Sequence, residues 1–232
     1  MKVEIWSDIM CPFCYIGKRN FEQALKKFEH KEDIEVQWRS FELSPDLKTD
    51  PSKSTYEHLA ENKGWTLDYT KKVHDQLTQR AKEAGLDYNF DTVIPANSFN
   101  AHRLSHLALA HNLQNEIEER LFAAHFTEGK NIDDDETLIQ LGKETGLPEK
   151  EIRDMLQSNK YSDEVEKDKY MARQVGVQGV PFFVFNNKYA VSGAQPVEIF
   201  LQTLTQAYQE FNQEKKSISP IEGESCSIDG NC

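Results

Sequence analysis

The sequence predicts an α/β fold of order β-α-β … β-β-α, interrupted by a large all-helical insertion. Two observations predict it. Short alternating or continuous apolar runs, the mark of strands, fall near residues 2–8, 34–39, 182–185 and 189–191. Between the second and third, from about Ser54 to Val175, apolar residues recur at helical spacing instead. Residues 1–45 and 176–212 are therefore expected to form one discontinuous domain, residues 46–175 an inserted helical domain, and residues 213–232 a polar tail.

The elements follow in order. Val3 and Ile5 alternate with Lys2 and Glu4, which makes residues 2–8 a strand. Pro12 suits the first helical position, where a missing N–H costs nothing. Cys14, Phe21, Leu25 and Phe28 share one helical face, so Cys14 is expected on the buried side and Cys11, at the helix end, nearer to solvent. Ile34, Val36 and Trp38 are opposed by Glu35, Gln37 and Arg39 in a second strand. A helix crossing between two such strands makes them parallel and the connection right-handed.

In the insertion, Tyr69, Val73, Leu77 and Ala81 step by four before Gly85, a helix stop. Phe99, Leu104, Leu107, Ala108 and His111 form another stripe, and Ile117 and Leu121 begin a third. Asp133 with Glu136 reads as a capping box ahead of Leu138 and Leu141. Gly146-Leu147-Pro148 ends that helix and starts one carrying Ile152, Met155 and Leu156. Ser162 is expected to cap a last helix through Val175, closed by Gly176. Phe182-Phe183-Val184-Phe185 is a continuous apolar run, as in a central strand buried on both faces. Asn186-Asn187 suits the two positive-φ positions of a tight hairpin, which returns Tyr189-Ala190-Val191 as an antiparallel strand. Pro196 opens a final helix with Val197, Phe200, Leu201, Leu204, Tyr208 and Phe211 on one stripe, and the pattern stops after Asn212.

Charge narrows the function classes. The 232 residues carry 27 Lys and Arg against 39 Asp and Glu, a net charge of −12. Nucleic acid and anionic membranes select clustered positive charge, so neither is an expected partner. No apolar run reaches the roughly 18–20 residues that span a bilayer. Residues 1–6 read directly as a strand without a signal core, and the expected location is cytoplasmic. In a reducing compartment, disulfides are transient and catalytic rather than structural staples.

The four cysteines form two close pairs, Cys11/Cys14 and Cys226/Cys232. Cys11-Pro12-Phe13-Cys14 opens a helix directly after a strand, and a helix N-terminus favours the thiolate, the nucleophile of disulfide exchange. All four thiols together would also satisfy zinc. A pair that opens a long helix is unlike a zinc knuckle, and the redox reading is preferred, with no metal and no cofactor expected. Asp8 is expected to organise the strand-to-helix turn. Asp133-Asp134-Asp135-Glu136 lacks the glycine-centred loop of an EF-hand and reads as a helix cap. The Cys226/Cys232 pair flanks Asp229-Gly230 and is either a second redox pair exchanging with Cys11–Cys14 or a passive tail disulfide.

The segments Ser7-Asp8-Ile9-Met10-Cys11-Pro12-Phe13-Cys14-Tyr15-Ile16-Gly17, Ala101-His102-Arg103-Leu104 and Gly176-Val177-Gln178-Gly179-Val180-Pro181-Phe182-Phe183-Val184 resemble the DsbA-like branch of the thioredoxin superfamily. Tyr189-Ala190-Val191-Ser192-Gly193-Ala194-Gln195-Pro196 is similar to its cytoplasmic FrnE-like subgroup. The resemblance covers residues 1–211 and implies a thioredoxin fold and thiol–disulfide oxidoreductase activity, with a mixed disulfide on Cys11 resolved by Cys14. It implies that Pro181 is cis against the Cys11–Cys14 pair and that Val180 offers backbone groups to a bound polypeptide. His102 and Arg103, in a family-like segment, are candidates to line the groove over the disulfide; the alternative is a polar pair on a helix edge. Implied partners are cysteine-containing proteins or peptides, small thiols, or a redox partner protein. Two other readings stay open: a glutathione-dependent transferase or isomerase of the same fold, which typically has serine where Cys11 stands, and a non-catalytic zinc- or peptide-binding adaptor.

Overall fold

The structure, a computed structural model, describes residues 1–216. The second cysteine pair, Cys226 and Cys232, lies outside the described residues. A four-stranded mixed sheet has the order β2-β1-β3-β4, with β1 Lys2–Ser7, β2 Glu35–Ser40, β3 Phe182–Phe185 and β4 Tyr189–Ser192. β1 and β2 are parallel, joined through α1 (Pro12–Lys27), as a βαβ crossover requires. β3 runs antiparallel to β1 with Phe183 opposite Ile5, and β4 antiparallel to β3 with Val191 opposite Phe183. Asn186 and Asn187 both adopt positive φ, 51° and 53°, and make the predicted tight turn.

The helical segment comprises α2 (Thr55–Lys63), α3 (Leu67–Glu83), α4 (Phe99–Ala110), α5 (Gln114–Phe126), α6 (Asp135–Glu144), α7 (Glu149–Leu156) and α8 (Ser162–Val175). After the sheet closes, α9 spans Val197–Lys216. Strand alternation gives the sheet two apolar faces. On one, Val3, Ile5, Phe183 and Phe185 join Phe21 of α1 and Phe200 of α9, and the rings of Phe183 and Phe200 meet at 4.6 Å. The same buried cluster continues through Leu104, Leu121 and Leu141 of the helical segment. On the other face, Trp6 and Val184 pack against Ala172 of α8 and Val177.

An ion network fixes α8 to that second face. Arg39 of β2 bonds Glu4 of β1 and, at 2.9 Å, Asp168 of α8, which also accepts from the Ser40 amide at 2.9 Å. Trp6 Nε1 donates to the Asp168 carbonyl at 3.1 Å. The helix that closes the expected insertion is thus a layer against the sheet, because Asp168, Ala172 and Val165 are the residues it buries.

The structure moves several expected details. In α3 the buried stripe is Thr70, His74, Leu77 and Ala81, while Tyr69 is exposed and lies against Trp65. The cap of α6 is Asp134, which accepts from the Thr137 amide; Asp133 instead accepts from Thr49. In a run of adjacent acids any one is chemically able to cap, and the long-range bond of Asp133 decides between them. Tyr161, in the left-handed conformation, precedes α8, so Ser162 is its first helical residue rather than its cap. α9 continues past Asn212 to Lys216, beyond its apolar stripe.

Candidate active site

The turn from β1 into α1 is built by Asp8. Its carboxylate accepts from the amides of Met10 at 3.1 Å and Leu43 at 2.7 Å, and its carbonyl from the Cys11 amide at 3.0 Å. Cys11 is the N-cap in extended conformation and Pro12 the first helical residue. No side chain of the described residues caps α1, so the cysteine sulfur stands at the positive end of the helix dipole without a competing cap. Cys14 lies one turn on, fully buried, its amide bonded to the Cys11 carbonyl at 3.0 Å.

Across from the motif, the Val180–Pro181 peptide is cis, and the Cys11 thiol donates to the Val180 carbonyl at 3.4 Å. The approach depends on Gly17: a Cβ there would stand 2.9 Å from Pro181 Cγ and 3.4 Å from the Phe183 ring. Tyr88 holds the motif from the helical side, its hydroxyl donating to the Pro12 carbonyl at 2.6 Å. Burial pushes the Tyr88 phenol far up, so it stays a donor.

Polar groups collect beneath the motif. Burial, then the neighbouring Cys11, raise the Cys14 pKa well above its ordinary range. The buried Ser7 hydroxyl and the Asp8 backbone work the other way. Burial also disfavours the Asp8 carboxylate, but His102, 3.6 Å away, and the two amides outweigh it and leave the Asp8 pKa lowered. In turn, Asp8 outweighs the burial of His102 and raises its pKa. Glu118, bonded to Ser105, is pushed up by burial, and burial lowers His125 to about 4. Beneath the motif, His102 Nε2, Glu118 Oε2 and His125 Nδ1 are buried without hydrogen-bond partners.

Of the sequence candidates, Cys11, Cys14, Val180 and Pro181 come together. Cys11 is less exposed than expected, at 5 %, because the cis-proline loop covers its sulfur. His102 is buried against Asp8 beneath the motif and lines no open groove. Arg103 points away altogether. Its guanidinium bonds the carbonyls of Met155, Ser158 and Lys160 and thereby ties the α7–α8 connection to α4. Sequence reasoning passed over Ser7, Gly17, Tyr88 and His125. Gly17 and Ser7 flank the motif closely enough to have been found; Tyr88 and His125 arrive from distant segments without a local signal.

Beside the motif lies a cavity of about 500 Å³. Met10 and Pro12, the two neighbours of Cys11, form part of its wall, and α2 and α3 close it from the other side. Among the described residues, no group of three or more His, Cys, Asp or Glu is arranged to hold a metal ion, and no helix is long and apolar enough to cross a membrane.

The family model for the DSBA-like thioredoxin domain matches residues 2–205. A crystal structure of a probable DsbA oxidoreductase, SCO1869 from Streptomyces coelicolor, is 38% identical, with TM-score 0.89 over 100% of this chain and 98% of that one. The protein YwbO of Bacillus subtilis (strain 168) is 29% identical over 212 residues, 88% of this chain and 95% of that protein. Cytosolic disulfide reductase DsbM from Pseudomonas aeruginosa, solved with GSH, shares the fold at 15% identity, TM-score 0.61, over 93% of this chain and 100% of that one.

Proposed function

Since the chain belongs to the DSBA-like thioredoxin domain family, we propose that it is a thiol–disulfide oxidoreductase working through Cys11 and Cys14. The observation that carries this reading is the placement of the Cys11 sulfur at the uncapped N-terminus of α1, against the Val180 carbonyl and the cis peptide, with Cys14 buried behind it.

In the reducing direction, the Cys11 thiolate attacks one sulfur of a substrate disulfide. A Cys11–substrate bond forms, the substrate S–S bond breaks, and the second substrate sulfur leaves as a thiolate. Cys14 then loses its proton and attacks the Cys11 sulfur, which expels the remaining substrate thiolate. The enzyme ends with a Cys11–Cys14 disulfide, two electrons poorer, and both substrate sulfurs are reduced. The oxidising direction retraces these steps. A buried Cys14 with a raised pKa keeps its proton until the mixed disulfide forms, which separates attack from resolution. Val180, next to the cis bond, offers its backbone to an extended substrate segment.

The substrates are cysteine-containing proteins or peptides and small thiols, with a redox partner protein to close the cycle. The proposed compartment is the cytoplasm, supported by the fold shared with a cytosolic disulfide reductase. Equilibration in thiol–disulfide redox buffers tests the assignment. In a Cys226→Ser/Cys232→Ser background, a single two-electron transition is expected with Cys11 and Cys14 intact and none when either is also changed to Ser; a transition surviving in either of those variants overturns it.

A further inference from the structure

The cavity next to Cys11 has a composition at odds with the rest of the chain. Acidic residues outnumber basic ones by 39 to 27 overall, yet no Asp or Glu is among the described residues that line it. Its polar wall includes Lys63, Asn62, His58, His74 and His125 beside the hydroxyls of Ser44 and Thr55. Leu59, Leu77, Phe90 and Phe126 supply apolar surface between them. A volume of about 500 Å³ suits a small organic molecule.

His125 supplies an independent pointer. Its ring is 2 % exposed, forms part of the wall, and its Nδ1 has no hydrogen-bond partner. Burial lowers its pKa to about 4, so at neutral pH it is an uncharged hydrogen-bonding group. A buried polar atom left unpaired is costly, and a ligand that pairs with it recovers that cost. Lys63, at the end of α2 and also on the wall, adds positive charge at an exposed position.

We propose that this cavity is the substrate pocket for an anionic low-molecular-weight thiol or disulfide, a compound with an apolar body and a carboxylate. The body packs on Leu59, Leu77 and Phe90, and the carboxylate turns to His125, Asn62 and Lys63. The sulfur end lies against Met10 and Pro12, the chain neighbours of Cys11. The inference rests on the oxidoreductase reading and adds its substrate class. With a disulfide RSSR, reduced enzyme forms Cys11–SR and releases one RS⁻. Cys14 then displaces the second RS⁻ and yields the Cys11–Cys14 disulfide, so two electrons pass to RSSR and no other reductant enters the single turnover.

The test uses 5,5′-dithiobis(2-nitrobenzoate), an aromatic carboxylate disulfide, in single-turnover kinetics with the full-length chain in a Cys226→Ser/Cys232→Ser background that serves as wild type throughout, and iodoacetamide alkylation of Cys11 as the measure of intrinsic thiol reactivity. Two variants on α2 are compared with wild type: Leu59→Trp, which fills the cavity, and Lys63→Glu, which reverses its exposed charge. Saturable reduction by wild type is expected, with the ratio of disulfide to iodoacetamide reactivity falling about tenfold in each variant, a loss equivalent to roughly 1.4 kcal/mol. An unchanged ratio in both variants overturns the pocket while leaving the oxidoreductase reading intact. Wild type that alkylates at Cys11 yet reduces neither this compound nor the uncharged 4,4′-dithiodipyridine overturns that reading, and the pocket with it.

Discussion

The two active-site thiols differ in what surrounds them more than in how far they are buried. Cys11 meets a helix N-terminus and a carbonyl, whereas Cys14 is enclosed at 0 % exposure with its pKa driven up. Under limiting iodoacetamide, peptide mapping should find Cys11 modified first and Cys14 last; the reverse order would exchange their roles. His125 makes a second prediction at this scale. Its folded pKa of about 4 lies below the ordinary 6.5, so as pH falls the unfolded chain takes up the proton first. The stability it contributes is fully present above about 6.5 and is lost on the way down to about 4, on the order of 3 kcal/mol. Asp8, also lowered, continues that loss in still more acid solution. His102 runs the other way: its raised pKa stabilises fully below 6.5 and less as pH rises through the folded value. Urea midpoints at neutral and mildly acid pH should converge in His125→Asn and diverge in wild type; an equal acid loss in both would remove His125 from the account.

At the level of elements, close approach and buried charge set the arrangement. Gly17→Ala gains roughly 1 kcal/mol of helix propensity but overpacks against the proline ring at 2.9 Å, which costs about 1–3 kcal/mol. The expected net effect is a loss of about 1 kcal/mol in urea unfolding together with slower disulfide exchange, and a stabilised, fully active variant would contradict the contact. Asp168→Ala strands part of the Arg39 charge between sheet and α8 and should cost about 3 kcal/mol, less than a fully orphaned ion because Glu4 remains. Elements like these were legible where the signal is local. The alternation at Val3 and Ile5, the proline opening α1, and the paired Asn186-Asn187 turn all carry their conformation in their own side chains. Boundaries were missed where neighbours compete or distant groups decide, as with Asp134 over Asp133 and Tyr161 before Ser162. In the site, the Cys-Pro-Phe-Cys motif and Val180-Pro181 were readable, while Arg103 was misplaced because its carbonyl partners lie more than fifty residues away.

Over the whole molecule, one buried apolar cluster joins the inner face of the sheet to α1, α9 and the helical segment. A shared core predicts coupled unfolding: in a Trp65→Phe variant, fluorescence of Trp6 and Trp38 on the sheet and helical circular dichroism should give coincident urea transitions, and a helical transition well separated from the fluorescence would show the segment standing alone. The same packing brings residues from five places in the chain to the motif, with Asp8 and Cys11 from the first turn, Tyr88 from the α3–α4 connection, His102 from α4, His125 from α5, and Pro181 before β3. Attack by one thiol and resolution by the other is the claim on which this arrangement turns. Its most direct test is mass spectrometry of mixed disulfides formed with a cysteine-containing peptide. Cys14→Ser should accumulate a stable adduct on Cys11 and Cys11→Ser should accumulate none on Cys14; a stable adduct on Cys14 in Cys11→Ser, with Cys11 unmodified in Cys14→Ser, would contradict it.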